Sequence, residues 1–156
     1  MLHVCKELMP GILMAGKWKF HKGNEEVWKS PSYNDKDWQI VDVPSYWENT
    51  SNYTEDYVYG WYRRTIVIPH ELKGHKLVLP LGAIDDADET YFNGTKIGGL
   101  GSFPPDYKTA YDQQRRYTVN PEIIQYDKPN TIAVKVFDVT GGGGMGKGPL
   151  GMIEVK

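Results

Sequence analysis

Four acidic side chains, Asp85, Asp86, Asp88 and Glu89, crowd the point where an apolar run ending in Leu81-Gly82-Ala83-Ile84 passes into Thr90-Tyr91-Phe92. Carboxylates this close in sequence suit three kinds of chemistry. They collect around a hard cation such as calcium, which takes roughly six to eight oxygens. They accept hydrogen bonds from the hydroxyls of a sugar. Or they pair with arginines, which lowers the cost of partly burying them. The spacing is not that of an EF-hand loop, so the metal reading rests on Asp85 and Asp86 as candidate ligands of a structural calcium ion. Strand alternation puts Asp86 and Asp88 on one face. The pairs Arg63-Arg64 and Arg115-Arg116 are candidate partners for the third chemistry.

Further candidates stand on segments that read as loops or strand ends. The stretch Gly99–Tyr111 is long for a compact domain, is stiffened by Pro104-Pro105, and offers Phe103, Tyr107 and Tyr111. A loop already ordered loses less entropy when it binds. Asp138 closes an alternating strand and precedes the glycine run Gly141–Gly144, where bare backbone allows close approach to a neighbour or a ligand. That run is no phosphate loop, because Lys147 is followed by Gly148-Pro149 rather than by Ser or Thr opening a helix. The expected ligand-binding set is therefore Asp86, Asp88, Glu89, Tyr107, Arg115, Arg116 and Asp138, with Trp61 as either a stacking ring or core. Catalysis has little to work with: Ser45 and Ser102 lack a nucleophile elbow, and Cys5 has no activating histidine motif. Asp86 and Glu89 are the only formal pair for glycoside cleavage, which needs a separation that residue order does not give.

These side chains need strands to position them. Lys17–Phe20 and Gln39–Val43 alternate, Gly60–Ile68 is rich in β-branched and aromatic residues, and His75–Leu81, Ala87–Phe92 and Thr95–Ile97 follow. Asn93-Gly94 suits a type I′ hairpin turn, in which both central residues have positive φ. Arg116–Val119, a helical turn from Asn120-Pro121 through Ile124, Asn130–Val139 and Met152–Val155 complete the chain. About eight short strands without a long helix predict an all-β fold, an antiparallel β-sandwich of jelly-roll type.

With 156 residues the chain fits one domain with a substantial core. A net charge of −2 provides no electrostatic footprint for nucleic acid and no basic face for a membrane. One cysteine rules out an internal disulfide framework. The apolar stretch Leu8–Ala15 is broken by Pro10-Gly11 and falls short of the roughly 20 residues of a membrane span. It also lacks the basic start of a secretory signal. Residues 1–15 are expected to be a leader or apolar first segment, 16–156 a single domain, and the chain, as it stands, cytoplasmic.

Taken together, the motifs resemble a known family. GKWKF, the W-x-x-P-x-Y-x-D-x-x-W spacing from Trp28 to Trp38, VPSYWE, GWYRRTIVIP, LGAIDDADETYFNGTKIG and the closing RRYTVN-PEII with NTIAVKVFD are similar to the non-catalytic jelly-roll domain of family-2 glycoside hydrolases. The same galactose-binding-like sandwich accompanies sialate acetylesterases. The resemblance runs from about Gly16 to Val155. It implies a module that binds oligosaccharide or polysaccharide and lacks catalytic activity alone, because the family's catalytic carboxylates lie on a separate barrel. It also implies two rivals: a structural module that supports a hydrolase domain or self-association, and a piece of a glycosidase or carbohydrate esterase. Members of the family are often exported.

Overall fold

The computed structural model describes residues 12–50, 55–140 and 142–155. Its strands are β1 (Gly16–Lys22), β2 (Gln39–Val43), β3 (Val58–Val67), β4 (Leu77–Asp85), β5 (Ala87–Phe92), β6 (Thr95–Leu100), β7 (Gln114–Val119), β8 (Pro129–Asp138), β9 (Gly144–Lys147) and β10 (Glu154–Val155). One sheet runs β2-β1-β3-β8-β5-β6. In the other, β4 lies between β7 on one side and β9 and β10 on the other. Every ladder between these strands is antiparallel. The chain is an all-β antiparallel sandwich, consistent with a jelly roll. At the β5–β6 hairpin Asn93 and Gly94 have φ of 50° and 85°, as a type I′ turn demands.

Alternation along the strands builds two apolar clusters rather than one. Tyr62, Phe92 and Val134 point between the sheets and join Trp18, Phe20, Leu79, Leu81 and Val119 in the core. Their neighbours Trp61, Tyr91 and Ala133 point to the outer face of the six-stranded sheet, where Trp28 and Trp38 cover them. Arg63 fastens that cover. Its guanidinium donates to the carbonyls of Trp28, Ser30 (2.9 Å) and Tyr33 (3.2 Å) and pairs with Asp35 at 2.8 Å. The segment between β1 and β2 thus behaves as a lid of core material, and β8 is buried on both faces.

The sequence reading places no strand at Gly144–Lys147. β9 forms there because bare backbone lets rings lie flat on it: a Cβ at Gly146 would sit 2.1 Å from the Tyr46 ring, and one at Gly144 (φ +92°) would sit 2.1 Å from the Tyr62 hydroxyl. Of the expected leader, residues 1–11 lie outside the described residues. Met14 is fully buried in the core, and its carbonyl accepts hydrogen bonds from Trp18 Nε1 and an Arg64 Nη1, each at 2.8 Å. No helix among the described residues is long and apolar enough to cross a membrane.

Candidate functional site

Asp86 stands at the crossing between the sheets, since β4 before it belongs to the four-stranded sheet and β5 after it to the six-stranded one. This crossing is why strand alternation does not put Asp86 and Asp88 in one environment. The Asp86 N–H donates to Phe137 O (2.8 Å), and its carbonyl accepts from Ala110 N–H (2.8 Å). Its carboxylate accepts from the Thr109 hydroxyl (2.5 Å) and from Val139 N–H (3.0 Å). One residue therefore joins the β4–β5 corner, the end of β8 and the loop after β6.

Two more acids meet it there. Asp85 ends β4 opposite Gly144, and Asp138 ends β8 opposite Val58. One carboxylate oxygen from each of Asp85, Asp86 and Asp138 lies within 4.8 Å of the other two. Glu48, on the helical turn Trp47–Thr50, accepts from Gly143 N–H at 2.9 Å and adds a fourth carboxyl group, close enough for its charge to act on Asp85 and Asp138. Burial, followed by a proton held toward Asp86 and the charges of Asp86 and Glu48, pushes Asp85 up to about 8. Burial, followed by the charge of Asp85, pushes Asp138 up to about 9. Burial works against Asp86 too, but hydrogen bonds from Asp85, Thr109 and Val139 hold its carboxyl below the usual range. Among the described residues, no Lys, Arg or His forms an ion pair with any of the three.

Asp88 differs from them. It lies between the sheets, pairs with Arg115 Nε at 2.8 Å, and accepts from the hydroxyls of Tyr117 (2.9 Å) and Thr90 (2.8 Å) and from Leu100 N–H (3.3 Å). Arg115 is equally buried and donates in addition to the carbonyls of Ala110 and Gln113. The pair is closed to any ligand and holds the end of the 101–113 loop in place. Trp61 is core of the outer cluster, stacked on Tyr91 at 5.9 Å, with its Nε1 donating to Asn24. Glu89 accepts from the Tyr91 hydroxyl (2.8 Å) and Lys96 (3.4 Å) on the six-stranded sheet, and Arg116 pairs with Glu154 on the outer face of the other. The structure thus brings together Asp85, Asp86, Asp138 and Tyr107 and places Asp88, Glu89, Arg116 and Trp61 elsewhere, while Arg115 reaches the cluster only through the Asp86 backbone carbonyl (3.3 Å).

Tyr107 borders the acid cluster, and Tyr57 and Tyr111 are tied through their backbones to residues that hold Asp86. Tyr107 packs edge-on against Phe137 at 5.6 Å, is 39% exposed, and feels the charges of Asp86 and Asp85. Tyr111 N–H donates to the Thr109 hydroxyl that binds Asp86, and Tyr57 N–H donates to Val139 O; both rings are mostly exposed. Sequence reasoning missed Glu48 and Thr109 as members of this site. Glu48 lay in VPSYWE, a motif read only for its resemblance to the family, and Thr109 in a loop read for its rings.

No family model matches the chain. Among curated proteins it is 25% identical over 134 residues to the beta-galactosidase BoGH2A of Bacteroides ovatus, a match spanning 76% of this chain and 14% of that protein. It is also 25% identical over 133 residues to a beta-glucuronidase of Formosa agariphila, spanning 76% of this chain and 12% of that one. The sandwich superposes on a family-2 glycosyl hydrolase from Bacteroides cellulosilyticus with a TM-score of 0.75 at 15% identity, covering 95% of this chain and 21% of that one. The chain matches one domain of family-2 glycoside hydrolases. It spans about a seventh or less of the length of these two curated relatives.

Proposed function

We propose that the chain is a non-catalytic, carbohydrate-binding-like module of the family-2 kind, with the acid-cluster end of the sandwich as its recognition surface. The observation that supports this reading is the presence there of carboxylates without arginine ion-pair partners among the described residues, beside the exposed Tyr107. Carboxylates accept hydrogen bonds from neighbouring sugar hydroxyls, and tyrosine faces cover the apolar C–H side of a pyranose. The site's negative charge favours neutral sugars such as galactosides over uronates. The expected result is saturable binding of a neutral oligosaccharide by calorimetry, weakened at least about tenfold by Asp86→Asn, the scale expected when a hydrogen bond to a charged acceptor is weakened. Absence of saturable binding to any member of a glycan array would end this reading.

A second reading, support for a separate hydrolase domain or for self-association, is favoured by a different observation. The outer face of the four-stranded sheet carries a groove of about 760 Å³ lined by Pro80, Arg116, Met152 and Val155 among others, with Met152 55% exposed. Sedimentation velocity separates the two readings: a monomer that binds sugar supports the first, and a stable oligomer without sugar binding supports the second.

A further inference from the structure

The geometry points to a divalent-cation site, of calcium class, formed by Asp85, Asp86 and Asp138. An acidic cluster is not a site on that ground alone, and the added observation is Asp138. The residue is 1% exposed, yet among the described residues its Oδ1 receives no hydrogen bond, and the side chain that the carboxyl does meet is another acid, Asp86. A buried carboxylate oxygen without a donor carries a desolvation penalty that native folds rarely leave uncompensated. The fold does provide partners where it needs them: Asp88, in the next strand, is saturated by Arg115, Tyr117, Thr90 and a backbone N–H. Among the described residues the trio at the sheet crossing has no such ion pair, although the charge of Lys147 acts on Asp85. Its oxygens lie within 4.8 Å of one another. Two oxygens on opposite sides of one calcium ion stand up to roughly 5 Å apart, so the spread fits.

The donor set is all hard oxygen, which selects calcium over softer metals. Asp85 is only half-buried, so an ion has a way in. Glu48 stands by as a further carboxylate, its Oε1 fixed by Gly143 N–H. A bound ion would tie the last residues of β4 and β8, one from each sheet, to the corner between them. The same carboxylates serve the sugar-binding reading, and the two fail separately because the cation test contains no carbohydrate.

The test uses chelator-stripped whole chain. Calcium chloride is expected to bind saturably at one ion per chain and to raise the unfolding temperature by several degrees. Terbium is expected to luminesce when excited through Trp47, whose ring packs on the same Gly143 as Asp138 Oδ2. Asp138→Asn keeps size and shape and is expected to stay folded while losing affinity at least about tenfold. Asp85→Asn, at a less buried position, serves the same purpose should the first variant not fold. A wild-type chain with no calcium heat, no thermal shift and no terbium signal would overturn the inference. So would Asp138→Asn and Asp85→Asn variants that both bind as tightly as wild type.

Discussion

Asp86 and Asp88 are the same residue type two positions apart, and their surroundings set opposite roles. Asp88 is one half of a buried ion pair, and removing its partner leaves a charge stranded between the sheets. Arg115→Met is expected to cost about 3–5 kcal/mol in urea unfolding, the scale measured when one member of a buried pair is deleted. A loss below about 1 kcal/mol would mean that the pair contributes little. The acid cluster yields a prediction of its own. Asp85 and Asp138, at about 8 and about 9, keep protons in the folded chain that the unfolded chain releases near pH 4. Between those limits the folded state binds more protons, so stability falls as pH rises. Without divalent cations the unfolding temperature should therefore be higher near about pH 5.5 than near about pH 8.5, and Asp138→Asn should flatten the slope. Asp86 and Glu89, whose carboxyls are held low, act in the opposite sense only below that window.

At the scale of elements, the glycine segment after β8 exists to let aromatic rings reach the backbone. Cβ positions at Gly142 and Gly146 would meet Tyr46, that at Gly143 would meet Trp47 and Asp138 Oδ2, and that at Gly144 the Tyr62 hydroxyl. This packing seats β9 against the end of β4 and fixes the floor under the acid cluster. Gly146→Ala is expected to destabilise by about 1–3 kcal/mol through overpacking. The penalty should shrink in a Tyr46→Ala background, where the ring is gone, and a double-mutant cycle measures this directly. Independence of the two changes would mean that the contact does not hold β9 in place.

At the scale of the molecule, the six-stranded sheet is covered on both faces, by the second sheet and by the tryptophan-rich segment between β1 and β2. Arg63 and Trp61 fasten that segment to the middle of the sheet, so it should unfold with the body. Tryptophan fluorescence, drawn from rings in both clusters, and far-UV circular dichroism are expected to give coincident transitions. An early fluorescence transition would reveal a separately melting cover.

Local signals carry far in this chain. Alternation and β-branching mark β2 and β5 to the residue, Asn93-Gly94 marks the hairpin, and Asn120-Pro121 marks the short turn before β8, because each depends on neighbours in sequence. β9 gave no such signal, since glycine has no strand preference and pairs there only because rings from elsewhere hold it. The acid cluster divides along the same line. That Asp85, Asp86 and Asp88 would need partners follows from residue type alone, because an unpaired buried carboxylate is costly in any fold. Which of them received an arginine, and which met Asp138 across the sandwich, was set by the crossing from one sheet to the other at Asp86, a property of long-range strand pairing with no local signature.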